Sequence, residues 1–345
     1  MAALESWLLK QWYEREQAAW YLRPFAALYG ACIGIRRWCY RLGMLKSHKL
    51  EVPVVVVGNL TAGGTGKTPT VLAITKALRA RGYRVGIMTR GYRGATKTAM
   101  RVAPDTDPAL VGDEAVLLAR RSACPVAIGS KRVEAARVLK RAHDVDVLIA
   151  DDGLQHLALH RDFEVLVLHG TRRFGNGALL PAGPLRERRS LASFDAVVLN
   201  GGSPEGARNE YLLTTSIRDA IHVGSQEQCT LASLKGRAMV ATAGIADPAR
   251  FFQALRAHGL EFVELARGDH HAFDQHDAKL LRGYQVCLCT EKDAVKLERL
   301  GLSNLWVVPL EASLPSALIE HMAHAIAGFQ LRKVNPLAKR SLGQE

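Results

Sequence analysis

The sequence predicts an α/β protein with a mostly parallel sheet and helices on both faces. Two observations carry this. Short apolar runs such as Val52–Val57, Asp146–Ala150 and Ala196–Leu199 alternate with segments of helical period, the pattern of buried parallel strands joined by crossover helices. The first of these runs also breaks into a glycine-rich loop that leads into a helix. Ligands of such sheets bind beyond the carboxyl ends of the strands, so chemistry is to be sought in the loops there.

That loop, Gly58 to Pro69, reads Gly-Asn-Leu-Thr-Ala-Gly-Gly-Thr-Gly-Lys-Thr-Pro. Glycines let main-chain amides wrap phosphate oxygens, a lysine reaches the outer phosphates, and the following hydroxyl ligates Mg²⁺. Thr61, Ala62, Gly63, Gly64, Thr65, Gly66, Lys67 and Thr68 are the expected nucleotide cradle, which makes the sheet P-loop NTPase-like. Thr61 stands where the usual pattern has glycine; Gly63, Gly64 and Gly66 keep the curvature. Pro69 suits a first helical turn. Val71, Ile74 and Leu78 then recur at three and four, and Gly82 closes the helix.

Further strands are expected at Arg84–Thr89, Pro125–Ile128 and Phe163–Leu168, with helices near 113–121, 131–142 and 185–192. Gly201-Gly202-Ser203-Pro204-Glu205-Gly206 is a break, and 201–225 reads as a linker. Beyond it, strands near 238–243, 260–265, 285–290 and 305–309 alternate with helices near 248–258, 276–282, 292–300 and 315–327. The predicted organisation is a helical segment over 1–50, a nucleotide domain over 51–200, a smaller α/β domain over 226–330 that closes the cleft, and a mobile basic tail over 331–345.

The 345 residues are 48% hydrophobic, enough for two ordinary domains. Six cysteines show no metal-site spacing and read as free thiols of a reducing compartment. Early charges leave no cleavable signal peptide. The net charge of +13 points to anionic partners: nucleic acid, phosphorylated small molecules or an acidic membrane surface.

Four of the five tryptophans fall in the first fifty residues, with Arg36, Arg37, Arg41, Lys46 and Lys49 close by. The longest uncharged stretch, Pro24–Ile35, covers about 18 Å as helix, short of the roughly 30 Å of a hydrocarbon core. A transmembrane span is therefore not expected. Two readings fit: an amphipathic helix lying at a membrane interface, or a helix packed on the protein's own core.

Asp151 and Asp152 end an apolar strand, where a phosphate-loop enzyme keeps its metal-binding acid beside Thr68. Gly153 permits a turn there, and which aspartate meets the metal stays open. His156 follows, either as an orienting group or as structure. Thr89-Arg90-Gly91-Tyr92-Arg93-Gly94 opens toward the same edge, and guanidinium forks suit phosphate. Gly112-Asp113-Glu114 starts a helix, where acids are also ordinary dipole complements. Arg172–Glu187 is a long Gly/Pro-rich basic loop of the kind that forms lids or substrate walls. Asp269-His270-His271 and Thr290–Lys296 end strands of the second domain.

Seven blocks in this order resemble the lipid A 4'-kinase family: GNLTAGGTGKTP (58–69), TRGYRG (89–94), GDE (112–114), DDGLQH (151–156), RRFGNGALLPAGPLRE (172–187), DHHAF (269–273) and TEKDAVK (290–296). The resemblance runs over nearly the whole chain. It implies transfer of the ATP γ-phosphate to the 4'-hydroxyl of a tetraacyldisaccharide 1-phosphate at the cytoplasmic face of the bacterial inner membrane, by a peripheral or monotopic protein. By the same resemblance, Thr61–Thr68 hold ATP, and Thr68 with Asp151 or Asp152 holds Mg²⁺. Asp113 is the base near the attacking hydroxyl with His270 as its partner, and Arg90, Tyr92, Arg186 and Glu187 line the lipid disaccharide site. Arg188 stands where the family commonly has proline, and His169 where an acid is frequent.

Two other classes compete. A nucleotide-dependent switch would hydrolyse ATP slowly and modify no acceptor. A nucleic-acid-dependent ATPase would explain +13, but the aromatics cluster with an apolar helix and are not interleaved along a basic groove, so nucleic acid is not an expected partner.

Overall fold

The computed structural model describes residues 2–206, 209–269 and 271–334. It opens with two helices where one was expected, α1 (Ala2–Tyr13) and α2 (Arg23–Arg41). The nucleotide domain follows as β1 (Val54–Gly58), α3 (Lys67–Ala80), β2 (Val85–Thr89), β3 (Met100–Val102), the short α4 (Pro108–Val111), α5 (Asp113–Ser122), β4 (Val126–Ile128), α6 (Arg132–Ala142), β5 (Val147–Asp151), β6 (Phe163–His169) and β7 (Ala196–Asn200). β1, β2, β4 and β5 are buried along their whole length, as continuous apolar runs demand. Side chains alternate across the sheet. Val55 and Val57 join α3 and α5 in one core, and Val54 and Val56 join α6 in another.

The predicted helix over 185–192 is absent; only Leu191–Ser193 forms a 3₁₀ turn. The charged pattern looked helical, but the backbone is committed elsewhere. Leu185 N–H donates to Ala178 O at 3.1 Å, and Arg186 N–H to Leu60 O at 2.7 Å. The segment is pulled out as an extended strap against the glycine-rich loop.

The expected linker over 201–225 is also corrected. Past the glycines the chain forms β8 (Glu210–Ser216), which pairs parallel with β7, and β9 (Asp219–His222). The second domain continues as β10 (Gln228–Thr230), β11 (Met239–Ala243), α7 (Pro248–Ala257), β12 (Val263–Ala266), α8 (Gln275–Leu281), β13 (Val286–Thr290), α9 (Glu291–Leu297) and β14 (Leu305–Val308). Its helices start where side chains cap them: Asp247 for α7, Asp274 with Asp277 for α8, and Thr290 for α9.

The chain then returns to the first domain through β15 (Glu311–Ser313) and α10 (Ser316–Val334), so the expected boundary at 330 does not hold. Leu318, Ile319, Met322 and Ile326 of α10 are buried in the core beside α3. Among the described residues the large sheet runs β15-β8-β7-β6-β1-β5-β2-β4-β3 and the small one β10-β9-β14-β13-β11-β12. Interior pairings of the large sheet are parallel, and both edge strands are antiparallel. The expected tail lies outside the described residues from 335 onward.

Candidate active site

β1, β5 and β2 are neighbours at the centre of the sheet, so the loops at their carboxyl ends meet. The loop after β1 is held open by its own chemistry. Asn59 Nδ2 donates to the carbonyls of Thr61 at 2.8 Å and Gly63 at 3.3 Å, and Ala62 N–H donates to Pro184 O at 2.8 Å. Gly66 sits at φ 92°, and no side chain caps the helix it begins. The first amides of α3 are thus left for an anion.

The two carboxylates differ sharply. Asp151 is buried; its Oδ2 accepts from Thr89 Oγ1 at 3.2 Å, and its Oδ1 has no hydrogen-bond partner. Burial, with the charges of Glu114 and Asp152, pushes its carboxyl up to about 7. Asp152 turns the chain at φ 50° and faces Lys67 Nζ at 3.5 Å and Arg186 Nη1 at 3.3 Å. Burial acts to raise Asp152, but Lys67, Arg186 and Arg132 outweigh it and hold the carboxylate below its ordinary range.

Behind this turn lies Arg132, which the sequence did not single out. It is buried. Its Nη2 donates to Asp151 O at 3.0 Å and its Nη1 to Gly129 O at 2.8 Å. His156 resolves as structure: its Nε2 accepts the Arg132 N–H at 3.2 Å, a cap for α6. Burial first, then the Arg132 charge, lowers His156 to about 4, which leaves the neutral ring that an acceptor needs.

Asp113 begins α5 and is buried, its Oδ1 accepting from Glu114 N–H at 2.9 Å. The loop of Arg90 and Tyr92 packs against that turn: a Cβ on Gly112 would meet Tyr92 O at 2.3 Å. Arg90 and Tyr92 are exposed there. His270 lies outside the described residues. Its neighbour Asp269 is 3.0 Å from Lys292 Nζ, which also lies 3.4 Å from Glu114 Oε1. Lys292, from the TEKDAVK block, therefore joins the second domain to the Asp113 turn. Burial works against its charge, and Glu114, Asp269 and Asp113 more than restore it.

Arg186 and Glu187 are held by α2. Tyr29 Oη donates to Arg186 O at 3.0 Å, and Arg37 Nη1 to Glu187 Oε2 at 2.7 Å. Gln155 Nε2 reaches Glu187 Oε1 at 3.1 Å and Asn59 O at 3.0 Å. Tyr13 of α1 donates to Ala62 O at 3.4 Å. No periodicity marks these partners, because each contact joins segments far apart in sequence.

The donor chemistry suits Mg²⁺, which takes one or two carboxylates together with waters and phosphate oxygens. The orphaned Oδ1 of Asp151 and the Thr68 hydroxyl in the first turn of α3 are such donors. Among the described residues there is no larger His/Cys/Asp/Glu group set to hold a metal.

A family model described as "LpxK: Tetraacyldisaccharide-1-P 4'-kinase" matches residues 18–327. The chain belongs to this family. Among tetraacyldisaccharide-1-P 4'-kinase relatives, the tetraacyldisaccharide 4'-kinase of Nitrosococcus oceani is 43% identical over 337 residues, 97% of this chain and 98% of its own. That of Aeromonas salmonicida is 44% identical over 316 residues, 91% of this chain and 94% of its own. The crystal structure of LpxK from Aquifex aeolicus in complex with ATP superposes with a TM-score of 0.74 at 28% identity, over 88% of this chain and 98% of that one. The tetraacyldisaccharide-1-P 4'-kinase family expected from the seven blocks, and the P-loop-type fold expected from the glycine-rich loop and the strand–helix alternation, are thereby borne out.

Proposed function

We propose that this chain transfers the γ-phosphoryl group of ATP to the 4'-hydroxyl of a tetraacyldisaccharide 1-phosphate. The observation that carries the reading is the meeting of Lys67, Asp152 and Arg186 at the mouth of the uncapped helix α3, beside the buried Asp151. Phosphoryl transfer needs positioning and charge stabilisation more than covalent catalysis. The amides of residues 61–68 grip the phosphates, while Lys67 and Arg186 balance their charge. Thr68, with Asp151 or Asp152, would hold Mg²⁺, which neutralises charge on the phosphate oxygens when bound. Asp113 accepts the proton of the attacking hydroxyl, with His270 as its partner. Supporting that pair, Lys292 ties the residue before His270 to the turn that carries Asp113. Arg90, Tyr92, Arg186 and Glu187 line the lipid disaccharide.

The same reading places the chain at the cytoplasmic face of the inner membrane. Among the described residues no helix is long and apolar enough to cross a membrane. The face of α2 away from the site leaves Phe25 61%, Leu28 66%, Ile35 63% and Trp38 58% exposed, beside the exposed Arg36 and Arg41. Such a surface suits an anionic interface.

Mass spectrometry of a defined acceptor incubated with ATP and Mg²⁺ tests the reaction. A product heavier by one phosphate at the 4' position is expected. Asp113→Ala should cut turnover by about 10²–10⁴-fold with ATP affinity retained. A folded enzyme that yields no product would remove the proposal.

A further inference from the structure

The geometry points to Arg250 and Asn200 as a positioning pair through which the second domain sets the nucleotide loop. Arg250 belongs to α7. Its Nη1 donates to Asn200 Oδ1 at 2.5 Å and its Nη2 to Thr215 Oγ1 at 3.0 Å, so both acceptors come from strands of the first sheet. Asn200, at the end of β7, passes the contact on: its Nδ2 donates to Thr65 O at 3.2 Å.

The order of this relay is dictated by chemistry. A guanidinium has donors only. Facing Asn200, it holds the amide with Oδ1 toward itself and leaves Nδ2 for the loop carbonyl. Without Arg250 the amide is free to flip, and an oxygen would then confront Thr65 O. The tether matters because a trans peptide aims its C=O and N–H to opposite sides. Fixing Thr65 O against Asn200 therefore aims the Gly66 N–H away from Asn200, in the last peptide before α3, where an anion takes its amides.

The fit is close. A Cβ on Gly66 would meet Asn200 Nδ2 at 2.3 Å, and one on Gly64 would meet the Ala246 Cβ of the β11–α7 loop at 2.5 Å. Asp247, which caps α7 by accepting from Arg250 N–H at 3.4 Å, also lies 3.7 Å from His169 Nε2. The start of α7 is thus seated on the ends of β6 and β7 and on the nucleotide loop together.

This inference rests on the reading that residues 61–68 hold ATP, and the test separates the two. ATP binding is measured by calorimetry, with steady-state kinetics in parallel. Lys67→Ala is the control for the cradle; if its ATP affinity is unchanged, the cradle reading itself fails. Arg250→Met and Asn200→Ala should each weaken ATP binding about tenfold, the scale of a lost charge-assisted hydrogen bond. The KM for ATP should rise while kcat at saturating ATP is kept. Arg250→Lys, which retains a donor, should restore most of the affinity. The double variant should bind no more weakly than the weaker single one, since Arg250 acts through Asn200. Losses that multiply to about a hundredfold, or a lowered melting temperature with ATP affinity untouched, would overturn the inference while leaving the cradle intact. Should Arg250→Met not fold, Asn200→Leu is decisive: about tenfold weaker binding supports the pair, and unchanged binding refutes it.

Discussion

Asp152 stands at φ 50°, a conformation that costs a non-glycine residue about 1–3 kcal/mol. The strain persists because its surroundings over-determine it: Lys67 and Arg186 hold the carboxylate, Arg132 holds the carbonyl before it, and Gly153 N–H donates to Val57 O at 3.2 Å. His156 closes the arrangement as a neutral acceptor. Its acidity follows: the folded ring titrates near 4 against an ordinary 6.5. Between those values this ring binds more protons in the unfolded chain, so the His156 contribution to stability is lost as pH falls from about 6.5 to about 4. Asp151, pushed up to about 7, contributes the opposite slope over the same window. The His156 part is therefore read as the difference between the melting curves of the wild type and of His156→Asn, which should narrow as pH falls. The acidic turn and the phosphate loop were legible because their residue types and spacing are local. Arg132 was not, since a buried arginine in a helix looks like any surface arginine until the fold closes over it.

Helix α2 has two working faces. Ala26 is buried, Tyr29 and Arg37 reach the site, and Gly30 is close to Leu179, where a Cβ would stand 2.8 Å from its Cδ1. The opposite face is apolar and uncovered. Of the two readings of this segment, packing on the protein's own body holds for the inner face, and the outer face keeps the interfacial proposal. Each well-inserted apolar side chain contributes at most about 1.5–3 kcal/mol. Phe25→Ser, Leu28→Ser and Trp38→Ser together should therefore weaken co-sedimentation with anionic vesicles about tenfold. The melting temperature should barely move, because none of these side chains is buried in the fold. Equal sedimentation would count against membrane seating. The strap at 185–190 and strand β8 show the limit of pattern at this scale. Both were misread: the strap's partner, Leu60, lies far away in sequence, and β8 follows β7 across a short glycine- and proline-bearing break that reads as a linker.

At the scale of the molecule, the chain leaves its first domain after β8 and re-enters it at β15. These strands pair antiparallel in one sheet, as β9 and β14 do in the other. Ion pairs Arg120–Glu298, Arg121–Glu291 and Arg299–Asp107 line the seam where α5 meets α9. Helix α10 completes the first core. Losing a buried Leu, Ile or Met costs about 2–5 kcal/mol each, and four such side chains come from α10. Against a total stability of about 5–15 kcal/mol, a chain truncated after residue 314 should not fold. Circular dichroism should show no cooperative melting, and a truncated protein that melts like the intact one would contradict this account of the core.

The residues of the cradle, the paired aspartates, the alternation of strand and helix, and the family resemblance were all readable along the chain, because each depends on neighbours within a few residues. Which carboxylate is orphaned, which histidine is a cap, where the domains truly divide and how α7 reaches the nucleotide loop depended on the folded arrangement. Burial, a charge brought from another domain and a carbonyl tethered across a cleft are properties of segments packed together, and no local pattern encodes which segments will meet.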